Sequence, residues 1–287
     1  MKSTKKLINL KNLTIIFTII YFSVFLIYPV YKALVGSFHD WNPLTQYYEF
    51  IGFENYKYLF SDPLFYKAMG NTFYFVIICT VARVVIGLLL ALAIHSKLTK
   101  YKTFFQGLYY MPTITPLVAV SFVWMWMFNP QFGLINNLLN IDINWLKDSA
   151  FALPAIMIMT IWKDFGYAAV LFLAGLMGLP EDVYEAAEMD GASKFYTFKR
   201  VTLPLLSPTT LFVVITSLIS YFQTYIQVMI MTEGGPGTST YVISYLIYDE
   251  AFVKYNFGYA SALAMILFVI IGILTIIMFK VNSRRYI

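Results

Sequence analysis

The chain has 287 residues, of which 60% are hydrophobic and only 12% are charged. A soluble domain carries about a quarter charged residues, so this composition excludes an ordinary water-soluble fold and indicates several membrane spans. The net charge of +5 is too modest to indicate nucleic acid as a partner, and the one cysteine, Cys79, excludes an internal disulfide or a cysteine metal cluster. We predict no metal site and no catalytic residue.

Six stretches of the chain meet the length of about 20 apolar residues that a membrane-spanning helix needs. The first follows a basic segment but is too long for a signal peptide, so we expect it to be an uncleaved span. The predicted spans cover residues 13–35, 71–94, 105–128, 153–178, 209–231 and 259–280. The sequence therefore predicts an all-α polytopic membrane protein, with six transmembrane helices in a single domain over 13–280 and short tails at 1–12 and 281–287.

The basic residues set the orientation of these spans, because cytoplasmic loops carry an excess of Lys and Arg. With the N-terminus inside, thirteen Lys and Arg lie in inner segments and five in outer segments, while Arg83 and Lys163 fall within spans. Both termini are therefore predicted to be cytoplasmic, in a multi-pass protein of the cell membrane.

Two outer loops carry distinctive residues. The loop at 36–70 is rich in aromatic residues, which fits either an interfacial belt or a docking surface for an external partner. The loop at 232–258 opens with Thr232-Glu233-Gly234-Gly235-Pro236-Gly237, which predicts a tight turn. This turn lacks the spacing of a phosphate-binding loop, and no Walker motif occurs in the chain, so we expect no nucleotide hydrolysis by this chain itself.

The inner loop at 179–208 has the pattern of a helix, a glycine turn and a second helix. Pro180 suits the first helical position, Gly191 suits a helix C-terminus with positive φ, and Ser193 can cap the second helix. An ordinary solvated hairpin would have the same pattern. Two phenylalanines spaced three residues apart share one face and favour a surface that a partner binds.

Several stretches of the chain resemble the permeases of ABC importers. The loop at 179–208 looks like their EAA loop, in the form found in the carbohydrate-uptake branch, and the turn at 232–237 is similar to that of permeases that pair with a different, second permease. The matching stretches are Gly52-Phe53-Glu54-Asn55-Tyr56, Trp162 to Tyr167 followed by Leu173-Ala174-Gly175-Leu176, Tyr184 to Ala192, Thr202 to Pro208, and Thr232-Glu233-Gly234-Gly235-Pro236.

The resemblance implies the architecture of a type I ABC importer permease and a set of partners. These are a second permease subunit in a heterodimer, two cytoplasmic ATPase subunits that bind ATP and Mg, and an extracellular or periplasmic solute-binding protein. It implies no cofactor in this chain. The residues that it assigns to ATPase coupling are Glu185, Ala186, Ala187, Asp190, Gly191, Ala192, Phe195 and Phe198.

Polar residues at membrane depth are costly and usually face a cavity or a partner. Hydroxyls, amides and aromatic faces suit a sugar, and the resemblance implies a translocation pathway on the spans that flank the EAA loop. Helical spacing places seven such residues on shared faces of the fourth and fifth spans. The predicted substrate pathway consists of Thr160, Lys163, Asp164, Tyr167, Ser217, Tyr221 and Thr224.

Two alternatives for these residues stay open. Serine, threonine and glutamine often join membrane helices through hydrogen bonds without touching a substrate. Asp164 and Arg83 could form a structural ion pair between helices. The charges at 163 and 164 exceed what a sugar pathway requires, so the charge of the substrate stays open as well.

We predict a permease subunit of an ATP-driven importer that moves a sugar or sugar derivative into the cell by alternating access. The alternative is an ion-coupled secondary transporter or a channel for small polar solutes, which would predict internal repeats with broken helices that the sequence does not display. A membrane-embedded enzyme would need clustered carboxylates or histidines at membrane depth, and only one intramembrane carboxylate, Asp164, is present. A signalling or scaffold protein could use the same hairpin for docking.

Overall fold

A computed structural model describes residues 2–96 and 99–283; Lys97 and the end of the predicted C-terminal tail, 284–287, lie outside these ranges. The described part is mostly helical, as predicted, but it also holds an antiparallel pair of strands, β1 (His39–Asn42) and β2 (Tyr47–Phe50). The helices are α1 (Lys2–Phe22), α2 (Tyr28–Gly36), α3 (Glu54–Ser61), α4 (Pro63–His95), α5 (Lys102–Ile114), α6 (Leu117–Met127), α7 (Leu134–Leu139), α8 (Ala152–Met177), α9 (Glu181–Met189), α10 (Lys194–Thr197), α11 (Leu203–Leu205), α12 (Ser207–Phe222), α13 (Ile226–Met231), α14 (Ile243–Tyr248) and α15 (Phe257–Ser283), with π-helical turns at Ser23–Ile27, Phe198–Thr202 and Asp249–Val253.

Four helical segments in the described residues are long and apolar enough to cross a membrane. They are Lys11–Gly36, Pro63–His95, Ala152–Met177 and Phe257–Val281. Two further pairs qualify only if each bent pair counts as one span, namely Lys102–Ile114 with Leu117–Met127 and Lys194–Leu205 with Ser207–Phe222. The structure therefore supports four to six spans, and two of the six predicted spans are not single straight helices.

The predicted third span, 105–128, bends by 94° between α5 and α6. The bend falls at Thr115 and Pro116, where Thr115 adopts an extended conformation with φ −71° and ψ 135°. Proline lacks an N–H group and disfavours helical geometry in the residue before it, so a straight helix cannot pass through this point.

The prediction of one continuous helix over the fifth span, 209–231, is wrong. Helix α12 ends at Phe222, and the short helix α13 begins only at Ile226. The last turn of α12 tightens, because the amides of Gln223 and Thr224 bond to carbonyls three residues back, at 3.2 and 3.3 Å. No proline or glycine marks this break, and its residues Gln223, Thr224 and Tyr225 are compatible with a helix, so the sequence does not reveal it.

One compact unit comprises the residues up to Asp62 together with Ile247–Phe268. Within it, the amide of Asn55 donates to the carbonyls of Ser37 and His39, at 3.0 and 2.9 Å. The Tyr259 hydroxyl donates to the carboxylate of Asp62, at 2.8 Å. The two bonds made by Asn55 give this residue of the stretch Gly52–Tyr56 a structural role.

An ion cluster of one exposed lysine and two buried carboxylates also lies in this unit. The Lys254 ammonium lies 2.9 Å from Asp249 and 2.7 Å from Glu250, and both carboxylates belong to buried residues. Partial burial lowers the pKa of Lys254, but hydrogen bonds and charges from Glu250 and Asp249 outweigh it and raise that pKa above its ordinary value. The cluster holds the turn that follows Val253 in place.

The second compact unit comprises Pro63–Leu246 and the chain from Val269 onward. Its centre is the contact of α4 with α8, which is made close by small residues: a Cβ on Gly87 would stand 2.6 Å from the Cβ of Ala168. The buried apolar cluster around this contact contains Ala91, Ile94, Ala168, Phe172, Leu173, Leu176, Leu206 and Val213.

The predicted tight turn at 232–237 is confirmed. Gly234 has a φ of +82°, and a Cβ there would collide with the rings of Tyr241 and Tyr245. The Thr240 hydroxyl donates to the carbonyl of Gly235, at 2.9 Å, and closes the turn. The residues of this turn are thus accounted for by the geometry of the backbone.

Replacement of Gly87 by alanine is expected to lower the thermal unfolding midpoint of the detergent-solubilised protein. The added methyl group must push α4 away from α8, and overpacking of this kind costs about 1–3 kcal/mol. Gly70→Ala on the same helix is the matched control, because a Cβ there has nothing within 4 Å. Equal midpoints for the two variants would show that the α4–α8 contact is looser than described.

Candidate functional site

A cavity of about 270 Å³ lies in the second unit and is lined by eleven residues. Five of them were predicted from the sequence, namely Thr160, Lys163, Asp164, Tyr221 and Thr224. The other six were not predicted as site residues: Leu117, Ser220, Gln223, Tyr225, Ile226 and Gln227. Nine of the eleven side chains carry a polar group, which is unusual for a surface inside an apolar membrane domain.

The cavity lies where two helices are interrupted. Leu117 is the first residue of α6, directly after the bend at Pro116. Residues 223–225 form the break between α12 and α13, and 226–227 are the first two residues of α13. Irregular backbone at membrane depth is tolerated where it is buried in protein or lines a cavity. The two breaks therefore explain both the cavity and the lining residues that were not predicted. The sequence feature that could have revealed these residues is the run of polar residues that continues past Tyr221.

Two predicted pathway residues do not line the cavity. Ser217 is fully buried, and its hydroxyl donates to the carbonyl of Val213 at 2.6 Å, which satisfies it within its own helix. The Tyr167 ring instead faces the guanidinium group of Arg83, which lies 5.2 Å from the ring centroid. Helical spacing grouped these residues with the site, but it could not show which way each face turns.

Lys163 is anchored to the bent helix pair. Its ammonium group donates to the carbonyl of Thr113 at 2.9 Å, and the Thr113 hydroxyl donates to the carbonyl of Lys163 at 3.0 Å. Thr113 lies in the last turn of α5, where carbonyls lack partners within the helix and the helix dipole is negative. The intramembrane cation thus stabilises the helix end that the bend creates.

Arg83 is buried beside the cavity wall. Its guanidinium group lies between the rings of Tyr167 and Tyr221, at 5.2 and 5.7 Å from their centroids, an arrangement favoured by cation–π attraction. It makes no ion pair with Asp164 closer than 4.0 Å, so the ion pair considered from the sequence is not formed. Arg83 and Asp164 still interact electrostatically.

The uncharged part of the lining is a loose set of donors and acceptors. The Gln227 amide lies 3.4 Å from the hydroxyl of Thr160 and 3.5 Å from that of Thr224, at the long limit of a hydrogen bond. The Tyr221 hydroxyl is buried and has no hydrogen-bond partner within 3.5 Å, but it lies near enough to Asp164 and Arg83 to interact with both. A ligand with hydroxyl groups could satisfy these groups.

The loop at 179–208 forms the predicted helix, turn and helix. Helix α9 begins at Glu181, so Pro180 is the residue before the helix and not its first residue as predicted. Gly191 follows the end of α9 with a φ of +74°, and the hydroxyl oxygen of Ser193 accepts a hydrogen bond from the amide of Tyr196 at 3.3 Å. The predicted roles of Gly191 and Ser193 in this turn are confirmed.

The loop presents a largely uncovered surface. No residue of α9 or α10 is buried, and Phe195 is 74% exposed, while Phe198 is only partly exposed. Met189, which was not among the predicted coupling residues, is 88% exposed. Exposed apolar side chains at a helix–turn–helix tip are typical of a surface that binds a partner. The predicted residues Glu185, Ala186, Asp190 and Gly191 are also exposed, and Ala187 and Ala192 are partly exposed.

Comparison with known proteins identifies the family. The family model for the binding-protein-dependent transport system inner membrane component matches residues 49–287. The multiple sugar-binding transport system permease protein MsmF of Streptococcus mutans is 33% identical over 264 residues, which cover 91% of this chain and 91% of that protein. The sulfoquinovosyl glycerol transport system permease protein SmoG of Agrobacterium fabrum is 34% identical over 269 residues, 92% of this chain and 87% of that protein.

A solved structure has the same fold. A bacterial alginate ABC transporter in complex with an alginate pentasaccharide-bound periplasmic protein contains a chain that matches with a TM-score of 0.84, over 99% of this chain and 98% of that chain, at 24% identity. With the family match over residues 49–287, the chain therefore belongs to the family of inner membrane components of binding-protein-dependent transport systems.

Proposed function

We propose that this chain is a permease subunit of an ATP-driven importer and that it moves a sugar or sugar derivative through the cavity between α8 and the α12–α13 break. The observation that carries the proposal is the polar lining of that cavity, at two helix interruptions, in a chain of this family. Hydroxyl, amide and aromatic groups together match the hydroxyls and apolar ring faces of a sugar.

The proposed topology has six spans and two cytoplasmic termini, with α5 and α6 counted as one span and α12 and α13 forming the fifth. The excess of Lys and Arg in the inner segments supports this orientation. It puts the loop at 179–208 in the cytoplasm, where ATPase subunits are available. The aromatic loop at 36–70 then faces outward, and its exposed side chains, such as Phe50 and Phe53, offer a surface for a solute-binding protein.

The proposed partners are a second permease, two ATPase subunits and an external solute-binding protein. The relatives of this chain carry names of sugar transport systems, and a periplasmic protein is bound to the alginate transporter of similar fold. ATP and Mg bind the ATPase subunits and not this chain. The second permease would close the open side of the cavity.

In the proposed cycle, each part of the chain has a separate task. The tip formed by α9, Gly191 and α10 docks on an ATPase subunit, and closure of the ATPases displaces it. The Tyr184 hydroxyl lies 3.1 Å from that of Thr202, so the first helix of the tip is tied to the segment that leads into α12. Movement of the tip is thereby passed to the helix that carries Tyr221, and the cavity opens on alternate sides.

Interrupted helices also occur in ion-coupled secondary transporters, and two interruptions are present here although the sequence did not reveal them. They do not distinguish the two mechanisms. Family membership and the exposed loop at 179–208 favour the ATP-driven importer.

The proposed function is tested with the complete importer in proteoliposomes. The cognate binding protein is first screened against sugars, and uptake of the sugar it retains is then measured. We expect accumulation that requires both internal ATP and the binding protein, and that is unaffected by ionophores that dissipate proton and sodium gradients. Uptake that continues without the ATPase subunits, or that ionophores abolish, would refute the proposal in favour of ion coupling.

Replacement of Gly191 by valine is expected to separate ATP hydrolysis from uptake. A β-branched residue resists a φ of +74°, so the turn between α9 and α10 must reorganise, although the space around Gly191 is open. We expect uptake per ATP hydrolysed to fall by about tenfold or more, with the chain still inserted in the membrane. Asparagine tolerates positive φ, so Gly191→Asn is the control that should keep most of the coupling. Equal coupling in both variants would argue that the turn geometry plays no part.

A further inference from the structure

We propose that the cavity is a site for an acidic sugar, with the substrate carboxylate at Lys163 and neighbouring substrate hydroxyl groups at Asp164. The proposal rests on the proposed function and specifies the substrate class of the same cavity. Three features carry it: the excess of positive charge around the cavity, the uncommitted donors of Lys163, and the different directions in which Lys163 and Asp164 leave their helix.

The charged groups in and around the cavity carry an excess of one positive charge. Lys163 and Asp164 both line the cavity, and Arg83 packs against the lining residue Tyr221. Both cations interact electrostatically with the carboxylate of Asp164, so two positive charges and one negative charge leave a net charge of +1. Charges within a membrane are costly unless they are paired. A substrate with one negative charge would complete the balance, whereas a neutral substrate would not.

Arg83 is the less satisfied of the two cations. Its residue is only 6% exposed, and its Nε atom is buried without a hydrogen-bond partner. The rings of Tyr167 and Tyr221, with centroids at 5.2 and 5.7 Å, attract the guanidinium group but carry no formal charge. Its charge is therefore only partly compensated by the protein. Because electrostatic interactions are strong in a medium of low dielectric constant, this charge also favours an anion in the adjacent cavity.

Lys163 provides the contact for the substrate carboxylate. The residue is partly exposed and lines the cavity. A lysine ammonium has three N–H donors, and one of them bonds to the carbonyl of Thr113 at 2.9 Å. Within residues 2–96 and 99–283 this is the only hydrogen bond of the ammonium group, so its other donors are available to carboxylate oxygens. The bond to Thr113 also holds the ammonium group in place before a substrate binds, which reduces the entropic cost of binding.

Asp164 accommodates an acidic sugar because its charge is directed away from that of Lys163. The two residues are adjacent in α8, so their side chains leave the helix about 100° apart. A uronic acid has a carboxylate on one ring carbon and hydroxyl groups on others, so it can place its acid at Lys163 and donate hydroxyls to Asp164. The cavity volume of about 270 Å³ corresponds to roughly nine water molecules at about 30 Å³ each, which is room for one such ring.

The test uses the complete importer in phosphatidylcholine nanodiscs without the binding protein, so that the permease sets the selectivity and the lipid carries no net charge. Titrations followed by saturation-transfer NMR compare glucuronate with glucose and galacturonate with galactose, since each pair differs only in the acid group. In the native importer we expect the Kd of each uronate to be about tenfold lower than that of its neutral counterpart, which corresponds to about 1.4 kcal/mol.

The decisive variant is Lys163→Gln, because it separates the charge of Lys163 from its structural role. The glutamine amide can still donate to the carbonyl of Thr113, but it supplies no positive charge. We expect the uronates to lose about tenfold in affinity while the neutral sugars change little. Lys163→Arg keeps the charge and should keep the preference for uronates. Lys147→Gln makes the same chemical change at an exposed position outside the cavity and should leave all four affinities unchanged.

Three results would overturn the inference. These are neutral sugars that bind the native importer as tightly as the uronates or more tightly, an unchanged uronate preference in Lys163→Gln, and no binding of any of the four probes to the native importer. If Lys163→Gln loses all four probes, Lys163→Arg decides: a retained preference for uronates supports the inference, and its loss overturns it. ATP-dependent uptake in proteoliposomes tests the proposed function separately, and uptake that persists in any of these cases leaves that function standing.

Discussion

The structure depends on how backbone groups are satisfied where membrane helices are interrupted. In a bilayer, an unpaired carbonyl or amide costs several kcal/mol, because no water is available to bond to it. The bend at Pro116 leaves carbonyls at the end of α5 without helical partners, and the ammonium group of Lys163 bonds to one of them. A charge that looks misplaced in an apolar helix is thereby explained by the helix end beside it. The bend, in turn, creates one wall of the cavity.

The same cation links the fold to the proposed chemistry. Lys163 and Arg83 both interact electrostatically with Asp164, so a carboxylate can persist within an apolar domain because opposite charges lie near it. Arg83 is itself held between two tyrosine rings, and one of these, Tyr221, reaches the cavity. The close packing of α4 on α8 through Gly87 keeps these groups near one another. The residues that stabilise the helix end, that surround Asp164 with opposite charge and that line the cavity are therefore in contact with one another or overlap.

Composition and periodicity were sufficient to predict a polytopic helical protein, because long apolar runs have few alternatives to membrane helices. The turn at Gly191 and the cap at Ser193 were also predictable, since each depends on the residue itself and its neighbours. The break after Phe222 was not, because neither glycine nor proline marks it and the polar residues there remain compatible with a helix. The hairpin of His39–Asn42 with Tyr47–Phe50 was missed because its strands have only four residues each and show no alternation of buried and exposed positions.

The polar character of the site was predictable from the sequence, but the exact set of residues that line it was not. Five lining residues followed from the rule that polar groups at membrane depth share a face, whereas Ser217 and Tyr167 obey the same rule and lie outside the cavity. The difference is tertiary, because Ser217 bonds to its own helix and Tyr167 covers Arg83. Leu117 and Ile226 carry no polar signal at all, and they reach the cavity only because the backbone breaks beside them.

The most direct measurement of this account is a cryo-electron microscopy map of the complete importer, trapped with a non-hydrolysable ATP analogue and a loaded binding protein. The account predicts sugar density against Asp164 and Tyr221, and the tip around Met189 and Phe195 enclosed by an ATPase subunit. Sugar density that bypasses this cavity, or a tip that stays in solvent while the ATPases are closed, would contradict it.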